Sequence, residues 1–174
     1  MRYFNGFSLR GEEALFGDFL VRSDLCVAGF SYGAQQALEY VYHTKERVDR
    51  LILLSPAFFQ TKPPAFIRTQ LRYFKADKEA DKEAYVSQFL ANVAFPSQED
   101  LSSHLHAGSD EDLEALLRYR WEEEKLREIT ARGTVIEVFL GGQDKIIDAE
   151  AALAFFEPLA VNYYIKEAGH LLHP

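Results

Sequence analysis

The chain has 174 residues, of which 48% are hydrophobic and 26% charged, a composition that is ordinary for a globular protein with a buried core. Its net charge of −8 argues against nucleic acid as the main partner, because phosphate backbones bind basic surfaces. A single cysteine, Cys26, excludes an internal disulfide, and no metal-ligand spacing is present, so we expect a buried thiol, no metal and no cofactor. No apolar run approaches the roughly 18 residues of a membrane span and the start lacks a signal-peptide pattern, so a cytoplasmic protein is expected.

Short apolar strands alternate with helices at both ends of the chain. Residues 4–20 contain a short apolar start, a glycine turn and an amphipathic stretch at 12–20. The later pattern predicts strands at 25–28, 48–54, 135–140 and 162–166, with helices at 32–43 and 148–159. This alternation predicts an α/β fold, with a mostly parallel sheet and helices on both faces.

Residues 60–131 interrupt the alternation with a helical pattern throughout. Helical runs cover about 65–90 and 110–129, and loops are expected at 95–97 and 104–108. Tandem copies of Ala-Asp-Lys-Glu at 76–83 favour an exposed helix. We therefore predict a first core part at 1–59, an inserted helical cap (lid) at 60–131 and a second core part at 132–174.

The segment Gly29-Phe30-Ser31-Tyr32-Gly33 lies between a predicted strand and a predicted helix. In that setting Gly-x-Ser-x-Gly indicates a nucleophile elbow, a tight turn that projects the serine hydroxyl from the carboxyl edge of the sheet. The two glycines let the helix pack close to the strand, and the helix N-terminus favours negative charge beside it. Ser31 is therefore the candidate nucleophile, and the alternative is an incidental serine in a glycine-rich turn.

A serine nucleophile needs a base, and the base needs a third group that holds it. His170 directly follows the last predicted strand and a glycine, and Asp144 follows the strand before it, which gives the order serine, acid, histidine. Asp148 is the alternative acid, although its place before a helix favours an N-cap, and His173 is the alternative base. The remaining histidines are expected at the surface: His43, His104 and His106.

An ester hydrolase also needs backbone amides that bind the developing oxyanion. The amide after the nucleophile, Tyr32, is one candidate donor. The second is expected from the loop after the first core strand, Asn5-Gly6-Phe7, where we choose the amide of Phe7.

These motifs, together with Gly142-Gln143-Asp144, resemble the α/β-hydrolase superfamily over about residues 3–59 and 132–172. The small core and the position of the cap also resemble the short pimeloyl-[acyl-carrier protein] methyl ester esterases of biotin synthesis. The resemblance implies a minimal α/β-hydrolase fold and a serine carboxylic ester hydrolase that releases methanol from the carrier-linked ester. Larger members have two further strands before the first core strand and a helix after the catalytic histidine. The comparison with them therefore implies an exposed edge strand, which a dimer could cover, and a His170 loop near the C-terminus that could be mobile.

The resemblance implies an acyl-carrier protein as partner, with neither nucleic acid nor membrane. Carrier proteins are acidic, and residues 60–75 contain four cations and no acidic residue: Lys62, Arg68, Arg72 and Lys75. The last three are spaced so that one helix face can present them, either for docking or simply to solvent. Aromatic residues of the cap are candidates for lining an acyl channel.

Two other functions stay open at this point. One is a general small carboxylesterase or acyl thioesterase that uses the same three residues. The other is a non-catalytic, hydrolase-like binding module.

Overall fold

The fold is built on one parallel sheet. A computed structural model describes residues 1–75 and 79–174, with the side chains of residues 79–83 excepted. The five strands are β1 (Arg2–Phe4), β2 (Cys26–Phe30), β3 (Arg50–Leu54), β4 (Val135–Gly141) and β5 (Val161–Ile165). They pair in chain order, and each pair is parallel, so the predicted α/β class is confirmed.

Helices and short 3-10 turns connect the strands. The helices are α1 (Tyr32–His43), α2 (Pro64–Phe74), α3 (Glu79–Ala94), α4 (Asp110–Arg118), α5 (Glu123–Ala131) and α6 (Ala149–Phe156), with 3-10 turns at Glu12–Phe16 and Ser102–His104. The predicted amphipathic stretch at 12–20 is thus only a 3-10 turn. The predicted exposed helix of the tandem repeat at 76–83 lies outside the described residues, apart from the start of α3.

The predicted helical run at 110–129 is divided where Trp121 enters the core. Its indole Nε1 donates to the Ala57 carbonyl at 2.9 Å, and its backbone amide donates to Gln60 Oε1 at 2.7 Å. The ring packs edge-on against Phe156. These long-range contacts end α4 at Arg118 and begin α5 at Glu123, which the local helical pattern alone does not indicate.

Alternate side chains of the strands point into two separate cores, as pleated strands require. On one face Leu51, Leu53 and Val138 pack with α1, α5 and α6. On the other face Ile52 and Leu54 pack with the 3-10 turn at Glu12–Phe16, the end of α3 and the C-terminal segment. The steps from β2 to β5 all run in one direction, and right-handed crossovers then place α1, α5 and α6 on the same face.

The residues between β3 and β4 that the structure describes form helices, 3-10 turns and loops. Of these helices, α5 packs against α1 and β4 through Leu126 and Ile129, whereas α2 packs against α3 and α4. The three-part division at residues 59 and 131 stays a prediction. No helix in the described part of the chain is long and apolar enough to span a membrane.

Candidate active site

The turn from β2 into α1 holds Ser31 in a conformation that most residues avoid. Its backbone angles are φ 53° and ψ −110°, and the residue is 8% exposed. A side chain at Gly29 would overlap the backbone of Gly33, and one at Gly33 would overlap the Phe4 carbonyl. The Ser31 amide donates to the Leu54 carbonyl at 2.9 Å, which ties the turn to β3. Close packing of strand, turn and helix therefore imposes the strained serine geometry that the sequence predicts.

Asp144 and His170 form a buried pair at the ends of β4 and β5. His170 Nδ1 lies 2.6 Å from Asp144 Oδ2, and the two side chains are 1% and 0% exposed. Asp144 Oδ1 accepts hydrogen bonds from the amides of Ile146 at 2.7 Å and Ile147 at 3.1 Å. An ionised carboxylate only accepts hydrogen bonds, so in this pair His170 Nδ1 is the donor and Nε2 is left for another partner.

The loop that carries His170 is fixed by packing on both sides. Ala168 is fully buried, and Leu171 and Leu172 are nearly so. The Gly169 amide donates to the His173 carbonyl at 3.2 Å. A side chain at Gly169 would overlap the Phe95 carbonyl, so the loop also contacts the segment after α3. The position of His170 is therefore determined by residues from distant parts of the chain.

His170 lies beside the elbow that carries Ser31. Its ring is 5.0 Å from the ring of Phe30, the residue before the serine. Within the described part of the chain, the Ser31 hydroxyl makes no hydrogen bond to His170. Such contacts are often long without substrate, so the geometry is compatible with Ser31 as nucleophile and His170 as base.

The alternative residues have other partners. Asp148 caps α6, accepting a hydrogen bond from the Ala151 amide at 3.0 Å, as its position predicts. His173 contributes its carbonyl to the His170 loop. His43 is exposed beside Glu39, and His104 contacts the Arg10 carbonyl.

Cys26 is 1% exposed, so the predicted buried thiol is confirmed, and burial raises the pKa of that thiol.

The two amides chosen for the oxyanion site lie at adjacent strand ends. Phe7 follows β1, Tyr32 follows β2, and these strands are paired up to Phe4 and Gly29. Within the described residues, neither amide has a hydrogen-bond partner. Phe7 and Ser31 also line the same cavity. The oxyanion role stays a prediction, and the strand pairing is what supports it.

Glu12 is a buried residue near the site whose role the sequence did not reveal. Its side chain is inaccessible to solvent, and Oε1 accepts from the Gly6 amide at 2.6 Å and the Tyr3 hydroxyl at 3.4 Å. Burial raises the pKa of this carboxyl, and Oε2 has no partner within the described residues. Glu12 therefore fixes the loop that precedes the Phe7 amide. Its position before an apolar stretch resembles a surface helix start, so the sequence offers no signal for this role.

A cavity of about 410 Å³ opens beside Ser31. Its walls come from the loop after β1, from α2, α3 and α4, and from the Asp144 loop. Most of its lining is apolar or aromatic: Phe7, Phe59, Phe66, Phe89, Leu113 and Ile146 among others. Among the described residues, the charged ones in its lining are Lys62 and Lys145. This volume and lining suit a small or medium organic substrate.

The four predicted docking cations fall into different environments. Lys62 lines the cavity, and Lys75 lies 3.6 Å from Asp110. Arg68 and Arg72 are exposed on α2, where the Arg72 guanidinium lies 5.4 Å from the Tyr73 ring. Lys75 follows the end of α2 and has this acidic neighbour, and the docking role of all four cations stays a prediction.

The chain matches a family model described as "Alpha/beta hydrolase family" over residues 7–174. No curated protein sequence matches it.

Solved structures show the same fold at low sequence identity. An esterase (EaEST) from Exiguobacterium antarcticum is 20% identical with a TM-score of 0.62, covering 83% of this chain and 59% of that one. Naproxen esterase (carboxylesterase NP) from Bacillus subtilis is 22% identical with a TM-score of 0.54, covering 84% and 53%. MenH from S. aureus is 16% identical with a TM-score of 0.62, covering 97% and 85%. The chain thus spans less than two thirds of the length of the two esterases.

Proposed function

Because the chain belongs to the alpha/beta hydrolase family, which confirms the predicted fold class, we propose that it is a serine carboxylic ester hydrolase. Ser31 is the nucleophile, His170 the general base and Asp144 the group that holds the histidine. The observation that carries the proposal is the buried Asp144–His170 hydrogen bond beside a strained serine elbow.

The reaction proceeds by acylation and deacylation. Ser31 Oγ attacks the ester carbonyl while His170 Nε2 takes the hydroxyl proton. The amides of Phe7 and Tyr32 donate to the oxyanion, and each such donor contributes about 2.7–4 kcal/mol in the transition state. His170 then returns the proton to the departing alcohol, and a water molecule, activated by the same nitrogen, releases the acid from Ser31.

In this scheme Asp144 stabilises the charged form of His170 and keeps its ring in one orientation. Its Oδ2 stabilises the imidazolium that forms when His170 takes a proton, and its Oδ1 is held by the amides of Ile146 and Ile147. Since the carboxylate is fixed by these two backbone donors, the histidine ring keeps one orientation through the cycle.

Replacing Ser31 by Ala tests the nucleophile. We expect hydrolysis of 4-nitrophenyl butanoate to fall by at least about 10³-fold, because the acyl-enzyme cannot form. The control is Ser103→Ala, which changes an exposed serine in a 3-10 turn. Mass spectrometry after treatment with a fluorophosphonate should place the label on Ser31. Equal rates for the Ser31→Ala variant and the wild type would refute the nucleophile assignment.

The finer proposal is that the natural ester is a pimeloyl-carrier-protein methyl ester, hydrolysed in biotin synthesis. Two features support it: a largely apolar cavity of about 410 Å³ beside Ser31, and exposed Arg68 and Arg72 on α2, which forms one cavity wall. Docking an acidic carrier protein on these arginines would steer its encounter with the site.

Charge reversal tests this docking surface. Arg68→Glu with Arg72→Glu should lower methanol release from the carrier-linked ester by at least about tenfold and leave 4-nitrophenyl butanoate hydrolysis unchanged. Arg47→Glu with Arg127→Glu is the control, since it changes net charge equally at exposed positions elsewhere. Equal losses on both substrates would refute docking. Hydrolysis of simple esters without conversion of the carrier-linked ester would leave the general carboxylesterase reading.

Substrate comparison and the Ser31→Ala variant decide between two alternatives. Preference for a thioester over the matched oxygen ester would indicate an acyl thioesterase. The non-catalytic binding module is favoured by one observation, the lack of a hydrogen bond between the Ser31 hydroxyl and His170 in the described residues. Ester turnover that depends on Ser31 would exclude it.

A further inference from the structure

The described lining of the cavity beside Ser31 carries a charge opposite to that of the whole protein. The chain carries a net charge of −8, yet the charged groups that line this cavity in the described residues are two lysines, Lys62 and Lys145. The remaining polar lining side chains are neutral: Ser31, Gln70, Tyr73, Tyr85, Gln88 and Asn92.

The two lysines come from separate walls of the cavity. Lys62 lies just before α2, with its Nζ 5.8 Å from the ring of Phe66. Lys145 directly follows Asp144, and its Nζ lies 3.3 Å from the centre of the Phe95 ring. Both contacts hold an ammonium group over an aromatic face, which orients the cation without neutralising it.

Neither lysine forms an ion pair within the described part of the chain, where the other close cation–carboxylate contacts include Lys75 with Asp110 and Lys125 with Glu39. Several amides of the same lining are engaged with one another or with tyrosine: Tyr85 donates to Gln70, and Gln88 donates to Asn92. The described lining therefore offers two lysines that have no carboxylate partner among the described residues.

We propose that the cavity selects esters that carry a negatively charged group, such as a carboxylate, on the part of the substrate that enters it, with Lys62 and Lys145 as the specificity-determining residues. The proposal rests on the proposed esterase function. Cations in a partly desolvated cavity attract an anionic substrate and repel a cationic one. The selectivity is measured as the ratio of kcat/KM values for substrates that differ only in this charge.

Three methyl esters of equal length test it: monomethyl adipate, which is anionic, methyl hexanoate, which is neutral, and methyl 6-aminohexanoate, which is cationic. Methanol release should give a kcat/KM at least about tenfold higher for the anionic than for the neutral ester, with the cationic ester slowest. High salt should narrow the difference. Equal kcat/KM for the anionic and neutral esters would overturn the proposal. A carboxylic methyl ester of the same length that ends in a phosphonate shows, by its kcat/KM, whether the site prefers a phosphate-like group to a carboxylate.

Variants assign the preference to the two lysines. Lys62→Met and Lys145→Met should each lower the ratio of kcat/KM for monomethyl adipate to kcat/KM for methyl hexanoate, and their combination should abolish the preference. Lys145→Arg should keep the preference for monomethyl adipate that Lys145→Met reduces, because arginine retains the positive charge. Lys45→Met is the matched control, since this exposed lysine lies in the loop between α1 and β3. A preference that survives in the double variant would overturn the assignment.

A binding measurement separates this proposal from the esterase function. Calorimetric titration of the Ser31→Ala protein with adipate needs no turnover. We expect adipate to bind at least about tenfold more weakly when both lysines are replaced. If no ester is hydrolysed but this difference is seen, the proposed function fails and the anion site stands. If adipate binds equally to both proteins, or to neither, the anion site is refuted.

Discussion

Replacing Asp144 by Asn perturbs one proton of the proposed catalytic group and little else. Asp144 Oδ1 accepts hydrogen bonds from the amides of Ile146 and Ile147. Only the oxygen of an asparagine can accept them, so its NH₂ group must occupy the Oδ2 position and donate to His170 Nδ1. His170 then carries its proton on Nε2, where it cannot take a proton from Ser31. The structure thus fixes the orientation of the new amide.

The expected loss is large in rate and small in stability. A histidine in the wrong tautomer costs about 10⁴-fold in kcat, or about 5 kcal/mol in the activation barrier. Both backbone hydrogen bonds survive, so we expect about 1 kcal/mol of destabilisation from the lost charge-assisted bond. Asp144→Ala would instead leave two amides and a buried imidazole without partners, at a cost of about 3–5 kcal/mol.

Asp148→Asn is the matched control for this experiment. It makes the same chemical change four residues later, where the side chain caps α6 and asparagine caps equally well. Hydrolysis of 4-nitrophenyl butanoate should fall only in Asp144→Asn, with thermal unfolding of both variants near the wild type. If Asp144→Asn retains more than about a tenth of the activity, or if Asp148→Asn loses as much, the assignment of Asp144 is refuted.

Two further predictions concern the packing around the site. Gly33→Ala places a methyl group against the Phe4 carbonyl, so it should lower the free energy of unfolding by at least about 2 kcal/mol and Tm by about 4–8 °C. The control Gly17→Ala has open space around the new methyl group and should leave Tm unchanged. Equal Tm values for the two variants would contradict the close approach at the elbow. Burial raises the pKa of the Glu12 carboxyl, so the folded state favours its protonated form, and stability from this group is present below its unfolded pKa and is lost as pH rises through the folded value. Glu12→Gln cannot ionise, so it does not lose stability in this way, and its amide oxygen still accepts from the Gly6 amide. The Tm of the variant minus the Tm of the wild type should therefore increase as pH rises above about 4. A Tm difference that stays constant from pH 4 to pH 8 would contradict the raised pKa of Glu12.

The elements that recur along the chain were predictable from local pattern. The strands at 25–28 and 135–140 and the helix at 32–43 lie within one or two residues of β2, β4 and α1. Asp148 was identified as a cap from its place before a helix. These features depend on neighbours a few residues away, and the hydrophobic period and the capping residue carry that information in the sequence.

The division of the long helical run was not predictable in the same way. Residues 119–122 continue a helical pattern, but the chain leaves the helix so that the Trp121 indole can reach the Ala57 carbonyl and the Phe156 ring. The partner lies 64 residues away, so no local propensity encodes it. Burial of a large aromatic side chain outweighs the few tenths of a kcal/mol that helical propensity contributes per residue.

For the candidate site, the sequence by itself determined which residues are chemically suited and in what order they occur: Ser31 in its elbow, then Asp144, then His170. The tertiary structure decided what they contact. It joined Asp144 to His170 across 26 residues, buried Glu12 beneath the loop of Phe7, and brought Lys62 and Lys145 to one cavity. The physical reason is that a motif reports the local backbone, whereas burial, hydrogen-bond partners and cavity charge arise only when strands distant in sequence end at the same edge of the sheet.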